Sequence, residues 1–183
     1  MKRIILLGAP GSGKSTQGQK LAEFLGCPWV STGELLRGSR DAQIAETLKT
    51  ARLVDDETVF LMLTGELGKL EKQRRAQGVA EDEVLSAVID GFPRTGAQAE
   101  LAVSGLGVTE VIEISVPDEE IYARLRVRGR EQDIDEVVAE RIEIYERMKS
   151  EVMTVFDRAG VSIRKVNGVG TMDEVFERVK EVL

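Results

Sequence analysis

Short apolar segments alternate with longer segments of helical periodicity along most of this chain of 183 residues. The segment Ile4–Leu7 is unbroken, apolar and rich in β-branched residues, and Ala87–Asp90 has three apolar residues before its aspartate. Such segments are typical of strands buried on both faces of a parallel sheet. The pattern also predicts strands at 28–30, 110–116 and 161–166.

Helices are predicted between these strands, because apolar residues there recur at spacings of three and four. The predicted helices span 13–25, one or two short helices within 32–50 with Thr32 as N-cap, 54–57 onwards to about 75, a helix from about 96, 118–127, 133–159 and 171–183. Alternating strands and helices predict a three-layer α/β/α fold, with a parallel sheet inside one domain that covers residues 1–183. Ligands of such folds bind beyond the carboxyl ends of the strands.

The first strand leads into Gly8–Ser15, which reads GAPGSGKS and opens the first predicted helix. This is the phosphate-loop pattern G-x-x-x-x-G-K-[ST] in its strand–loop–helix setting. Loop amides, the helix N-terminus and the Lys14 ammonium supply donors and positive charge to a phosphate, and Ser15 offers a hydroxyl to a nucleotide-bound magnesium ion. A glycine turn that only joined a strand to a helix would need neither the lysine nor the hydroxyl. The candidate ligands of the nucleotide phosphates are Gly11, Ser12, Gly13, Lys14, Ser15 and Thr16.

Asp90 ends the second buried strand and is therefore expected at the same edge of the sheet as the loop. A carboxylate there can hold magnesium directly or through water. A capping or turn aspartate is the alternative. The metal interpretation is preferred because Gly91 and Pro93-Arg94 follow, which places a turn and a guanidinium at the same edge.

Three arginines are predicted to face the site because they lie among apolar residues of predicted helices. The long helix 133–159 carries an apolar stripe, and Arg141 lies inside it; the stripe contains Ile134, Val137, Val138, Tyr145, Met148 and Val152. An inward arginine without a partner costs several kcal/mol, so Arg141 should either meet a bound phosphate or form an internal salt bridge. In the preceding helix Arg124 and Arg128 share an apolar face, whereas Arg126 points towards solvent.

Composition and net charge argue against several classes of function. The net charge of −7 argues against broad nucleic-acid binding, and no apolar segment is long enough to cross a membrane. One cysteine, Cys27, and no histidine argue against a structural zinc site and fit a reducing, cytoplasmic location. The polar segment Gly129–Asp133 between two helices reads equally as a plain loop or as a small lid that carries Arg130.

Together these motifs resemble those of adenylate kinases, in the nucleoside monophosphate (NMP) kinase family, over almost the whole chain. The resemblance rests on GAPGSGKSTQ (8–17), STGELLR (31–37), LVDDE (53–57), DGFPRTGAQ (90–98), the arginine pattern from 124 to 141, and KVNG (165–168). It implies a P-loop fold with a five-stranded parallel sheet, an NMP-binding segment at 31–54 and a short lid at 128–134 without the zinc-binding cysteines of some members. It also implies magnesium-dependent, reversible phosphoryl transfer from ATP to AMP, giving two ADP.

The resemblance implies a role for individual residues as well. Lys14 would hold the migrating phosphoryl group and Asp90 would serve magnesium, and Asp133 would position the lid arginines. The catalytic set would be Lys14, Asp90, Arg94, Arg128, Arg130 and Arg141. ATP would bind to the six loop residues together with Arg124 and Gly168. AMP would bind to Thr32, Arg37, Arg52, Val54, Gly91, Arg94, Gln98, Arg130 and Arg141, with Thr32 and Gln98 at the adenine.

Two alternatives remain at this point. One is a UMP/CMP kinase of the same family, which Thr32 and Gln98 argue against. The other is a nucleotide-binding switch that hydrolyses slowly, a class that lacks an inward set of arginines for a second phosphate. The expected partners are ATP, AMP and ADP, with no nucleic acid, no membrane and a monomeric state. Residues 66–85 are longer than is usual in the family, and the sequence gives no reason for the extra length.

Overall fold

A parallel sheet of five short strands forms the centre of the protein, as the apolar segments predict. The computed structural model describes residues 2–78, 85–130 and 133–183. The strands are β1 (Arg3–Leu7), β2 (Trp29–Ser31), β3 (Ala87–Asp90), β4 (Glu110–Ser115) and β5 (Ser162–Asn167), in the order β2-β3-β1-β4-β5. Every neighbouring pair is parallel. The predicted fold class is therefore confirmed.

Helices connect the strands and cover both faces of the sheet. Those in the described residues are α1 (Lys14–Leu25), α2 (Thr32–Arg37), α3 (Ala42–Leu48), α4 (Asp56–Ala76), α5 (Gly96–Leu106), α6 (Asp118–Arg128), α7 (Asp135–Arg158) and α8 (Met172–Glu181). On one face, α4, α5 and α7 bury Leu63, Ala99 and Phe156 against the sheet. On the other face, α1 and α8 bury Leu21 and Val179. This burial on both sides explains why the strands are almost continuously apolar.

Three predicted details at helix starts are wrong. Ser31, not Thr32, is the N-cap of α2, because the chain is still extended at Ser31 and already helical at Thr32. The long helix α7 begins at Asp135, two residues later than predicted, and Ile134 precedes it with 55% of its surface exposed. Ile142, which the predicted apolar stripe omitted, is buried. The true buried stripe therefore starts one turn further along the helix.

The long α4 gives a role to part of the extra length at 66–85. Arg3, at the start of β1, is buried, and its guanidinium donates to the carbonyls of Leu85 (3.3 Å) and Leu106 (2.7 Å). Its Nη2 also forms a salt bridge with Oε1 of Glu71, in the last turns of α4, at 2.9 Å. A buried guanidinium without a counter-charge is strongly destabilising, so the length of α4 up to Glu71 stabilises this edge of the sheet. Residues 79–84 lie outside the described part of the chain.

The register of the strands brings the phosphate loop and Asp90 to one edge. Leu6, one residue before the end of β1, is the parallel partner of Asp90, and Ser31 at the end of β2 is its partner on the other side. β1, β2 and β3 thus end side by side, and the segments that follow them converge on the same space. None of the described helices is long and apolar enough to cross a membrane.

Candidate active site

The phosphate loop presents unused backbone donors at the start of α1. Gly13 is the N-cap of this helix, and its φ of 91° lies in the left-handed region that favours glycine. No side chain caps the helix, so its first N–H groups remain available to an anion. The Lys14 ammonium folds back over the loop and donates to the carbonyl of Ala9 at 3.0 Å.

Lys14 lies in an environment that disfavours its charge. The pKa of Lys14 is lowered from 10.5 to about 8, mainly by burial and in part by the guanidinium groups of Arg94, Arg141 and Arg128, while the nearby Asp90 opposes the shift. A cation that is desolvated and surrounded by other cations gains most from a polyanionic ligand. The electrostatics of the loop therefore favour phosphate binding.

Asp90 has one satisfied and one unsatisfied carboxylate oxygen, and the side chain is almost fully buried. Oδ2 accepts hydrogen bonds from the hydroxyls of Ser15 (2.6 Å) and Ser31 (3.4 Å). Oδ1 is buried and has no hydrogen-bond partner. An orphaned carboxylate oxygen beside the oxygen of the Ser15 hydroxyl is a ligand set that suits a hard cation such as Mg²⁺, which takes few protein ligands and keeps water and phosphate for the rest. In the described residues no group of three or more His, Cys, Asp or Glu side chains could hold a metal ion by itself.

One cavity above the loop collects most of the predicted phosphate ligands. Among the described residues, seven cationic side chains and one acid line it: Lys14, Arg37, Arg94, Arg124, Arg128, Arg130 and Arg141, with Asp90. Gly11, Gly13, Ser15, Thr16 and Gly91 line the same cavity. The structure thus brings together residues from β2, β3, α1, α2, α6 and α7 that are up to about 130 positions apart in the sequence.

Arg141 is a buried cation whose pairing is incomplete. Its Nη1 lies 4.0 Å from Asp133 Oδ1 and makes no hydrogen bond. The pKa of Arg141 is lowered to about 10, mainly by burial and in part by the neighbouring Arg94 and Arg128. Arg141 therefore has the acidic neighbour of the salt-bridge alternative and also keeps a buried donor unsatisfied by the described residues. Its contact with phosphate stays a prediction.

Asp133 connects the arginines at the end of α6 to α7. Its carboxylate accepts two hydrogen bonds from Arg128, at 2.7 and 2.5 Å, and a third from the backbone N–H of Arg130 at 3.2 Å. Arg126 behaves differently, because it pairs with Asp135 at the surface and 65% of its side chain is exposed. Arg128 thus lines the cavity and Arg126 faces solvent, as the helical phase predicts. The role of Arg128 in binding phosphate stays a prediction.

Arg124 joins two loops of the site. Its Nη1 donates to the carbonyl of Ser12 (3.4 Å) and its Nη2 to the carbonyl of Gly168 (2.9 Å), while Glu120 accepts from Nε at 2.9 Å. Arg124 therefore ties the phosphate loop to the turn after β5. Ser12 itself is buried, and its hydroxyl has no partner.

A second cavity adjoins the first and shares four of its cations: Lys14, Arg37, Arg94 and Arg141. Leu48 and Leu53 line it together with Arg52, and so do Ile144 and Val152 of α7. A cavity that combines apolar walls with a cationic end suits an amphipathic ligand such as a nucleoside phosphate.

Three predicted AMP-binding residues line neither cavity. Thr32 and Gln98 are each only 1% exposed, and Val54 is half-buried. The Thr32 hydroxyl donates to the carbonyl of Asp90 at 3.4 Å. The amide of Gln98 accepts from the backbone N–H of Arg94 at 2.7 Å and donates to Asp56 at 2.8 Å. Thr32 and Gln98 thus form hydrogen bonds with the backbone of Asp90 and Arg94, which line the first cavity. Their contact with adenine stays a prediction.

Sequence reasoning missed several residues of the site. Ser31 bonds to Asp90 and lines the first cavity, while Tyr145 and Lys149 line the second. Lys149 is also paired with the buried Glu113 at 3.1 Å. Spacing could have found the α7 residues, because Arg141, Tyr145 and Lys149 follow one another at intervals of four and so share one helix face.

The similarity of this chain to known proteins agrees with this geometry. Residues 6–161 match the model of the family described as adenylate kinase. The chain is 38% identical over 184 residues to the adenylate kinase of Mycolicibacterium paratuberculosis (strain ATCC BAA-968 / K-10), an alignment that covers 96% of each protein. It is 33% identical over 198 residues to that of Micrococcus luteus, covering 100% of this chain and 91% of the other. The chain belongs to the adenylate kinase family. The family predicted from GAPGSGKSTQ, DGFPRTGAQ and the arginine pattern is thus confirmed, and the chain is a phosphotransferase.

Proposed function

We propose that this chain catalyses the magnesium-dependent, reversible transfer of a phosphoryl group from ATP to AMP, giving two ADP. The observation that carries the proposal is the pair of adjoining cavities. Among the described residues, those that line the cavity above the phosphate loop include seven cations and one acid, Asp90. One nucleotide cannot neutralise so many cations, whereas a triphosphate and a monophosphate together supply matching negative charge.

The two cavities suggest where each substrate binds. The phosphates of ATP would lie on Gly11 to Thr16, with Arg124 and the turn at Gly168 beside the nucleoside. The phosphate of AMP would lie between Arg37 and Arg94, which line both cavities. The nucleoside of AMP would then extend into the second cavity, beside Arg52 of the NMP-binding segment 31–54.

Catalysis in this arrangement is mainly alignment and charge stabilisation. Lys14 would contact the migrating phosphoryl group, and Arg128 and Arg141 would stabilise the charge that spreads over its oxygens in the transition state. Asp90 and Ser15 are the residues that would hold magnesium, Asp90 through water. Magnesium would neutralise part of the negative charge of the phosphates.

The lid would consist of residues 128–134, with Arg128 and Arg130 held by Asp133. Burial and the proximity of Arg130 lower the pKa of Arg37, so the positive charges from the two sides of the cleft already act on one another. Two bound nucleotides would screen this repulsion and draw the arginines inwards. Closure would exclude water that could otherwise hydrolyse ATP.

The decisive experiment is to mix ATP and magnesium with AMP, CMP, UMP or GMP in turn and to measure ADP formation. We expect AMP to be preferred by orders of magnitude, because a site built around one base leaves polar groups unpaired with another. Comparable turnover with UMP would favour a pyrimidine nucleotide kinase. Release of free phosphate without an acceptor would favour a hydrolysing switch. We further propose that the enzyme is monomeric, cytoplasmic and free of structural zinc.

A further inference from the structure

Asp56 lies outside both cavities, yet its carboxylate contacts the segment that carries Arg94. Asp56 is the first residue of α4. Its Oδ2 accepts from the hydroxyl of Thr95 at 3.0 Å, and its Oδ1 accepts from Nε2 of Gln98 at 2.8 Å. Thr95 and Gln98 belong to the start of α5, directly after Arg94.

We propose that Asp56 is a positioning residue for the half of the site that binds the acceptor nucleotide. It fixes the amide of Gln98 in one orientation, and through that amide it fixes the main chain of Arg94. The inference rests on the proposed function, which places Arg94 on the phosphate of the nucleoside monophosphate.

The chemistry of the neighbours leaves the Gln98 amide a single orientation. A carboxylate such as that of Asp56 can only accept, and the backbone N–H of Arg94 can only donate. Nε2 must therefore point to Asp56, and Oε1 must point to Arg94, where the bond is 2.7 Å long. Because Gln98 is almost fully buried, reversing the amide would leave two buried groups without partners.

The bonds from Gln98 to Asp56 and Arg94 affect the guanidinium because both the backbone and the side chain of Arg94 are hydrogen-bonded. Its backbone N–H is bound to Gln98, and its side-chain Nε donates to the carbonyl of Gly91 at 3.0 Å. Thr95 adds a second connection, since its hydroxyl caps the N–H of Gln98 while it donates to Asp56. Loss of the Asp56 carboxylate would release both connections and shift Arg94 relative to the phosphate, and small displacements of positioning groups have large effects on rate.

The α4 helix does not need Asp56 for its own start. The preceding residue, Asp55, is the N-cap, and its carboxylate accepts from the backbone N–H of Thr58 at 2.9 Å. Asp55 is exposed, whereas Asp56 is half-buried. The two adjacent carboxylates thus contribute the same charge to the same helix end. Of the two, Asp56 is the one that contacts Thr95 and Gln98.

This difference supplies a matched pair of variants, Asp56→Asn and Asp55→Asn, to be compared in steady-state kinetics with ATP and AMP. Asp56→Asn replaces one of the two acceptor oxygens with a donor, so it can keep only one of the two bonds from Thr95 and Gln98. We expect it to lower kcat/KM for AMP tenfold or more while KM for ATP stays within twofold of the wild type. Asp55→Asn should leave both within twofold, because asparagine also caps helices well. A purely structural role for Asp56 would instead alter stability without separating the two substrates.

A second test exchanges the polar groups. Gln98→Glu places two carboxylates against each other and should also lower kcat/KM for AMP, whereas Asp56→Asn combined with Gln98→Glu restores an N–H donor facing an oxygen. We expect the double variant to recover at least threefold over Gln98→Glu. If the wild type is active, equal kcat/KM values for AMP in Asp56→Asn and Asp55→Asn would overturn the inference about Asp56. A kcat/KM of the double variant below that of both single variants would do the same, and neither result would affect the proposed function. A wild type that phosphorylates no nucleoside monophosphate would overturn the proposed function and, with it, this inference.

Discussion

Replacing Lys14 with methionine should stabilise the nucleotide-free protein, even though it removes the central phosphate ligand. The folded protein lowers the pKa of Lys14 from 10.5 to about 8. Each pKa unit corresponds to 1.36 kcal/mol, so holding this charge costs the folded state at most roughly 3 kcal/mol at pH 7. Methionine has a similar length and no charge. The carbonyl of Ala9, which accepts from Lys14, keeps a second donor in the backbone N–H of Ser12 at 3.1 Å.

The sign and the pH range of the effect follow from proton linkage. Below pH 8 both the folded and the unfolded lysine are charged, and the full cost is present. Between pH 8 and 10.5 the folded lysine is neutral while the unfolded one still binds a proton, so the free energy of unfolding of the wild type rises by up to about 1.4 kcal/mol per pH unit. The advantage of Lys14→Met should therefore be greatest at pH 7 and close to zero at pH 10.5.

Urea unfolding at pH 7, 9 and 10.5 would measure this difference. At pH 7 we expect Lys14→Met to raise the free energy of unfolding by about 1–3 kcal/mol, or Tm by roughly 2–10 °C for a chain of this size. The control Lys72→Met, at an exposed position on α4, should change stability by about 0.5 kcal/mol or less. A loss of stability at pH 7, or a gain that does not change with pH, would refute the reasoning.

The remaining predictions concern charge and metal in the same site. Arg141→Ala should lower kcat at least a hundredfold, roughly 3 kcal/mol of transition-state stabilisation, while Arg126→Ala should change kcat little. Equal losses of kcat for the two variants in steady-state kinetics would show that the assignment of their helix faces is wrong. Chelation of magnesium with EDTA should abolish turnover and leave the Tm of the nucleotide-free protein unchanged, so a drop of several degrees in a thermal melt would contradict it. The Kd of ATP should rise about fivefold between pH 8 and pH 9, because only protonated Lys14 binds phosphate well, and titration calorimetry that found the same Kd at both would count against this role.

Local sequence patterns predicted the parts of the site that local geometry determines. The phosphate loop, Asp90 and Arg94 follow directly from buried strands, and the ends of parallel strands always meet at one edge of a sheet. Arg128 and Arg141 could be placed because they interrupt apolar helix faces. These features depend on spacings of a few residues, which periodicity can measure.

The sequence could not predict contacts that depend on how separate elements pack. The bonds from Asp56 to Thr95 and Gln98 join positions about 40 residues apart, and nothing in the pattern distinguishes Asp56 from the capping Asp55. The charge pair of Arg3 and Glu71 is likewise visible only once α4 lies against the sheet edge. The error at Ile134 has the same origin, because an apolar residue that continues the helical phase can still precede the first turn.

The most direct test of the account is the stoichiometry of the reaction with ATP and AMP. Phosphorus NMR of an equimolar mixture with magnesium should show both nucleotides decreasing together, with two ADP formed for each AMP consumed and no inorganic phosphate released. Starting from ADP alone, the same enzyme should produce ATP and AMP in equal amounts. Inorganic phosphate as the main product, or ADP formed without loss of AMP, would contradict the claim that these two joined cavities transfer a phosphoryl group between two nucleotides.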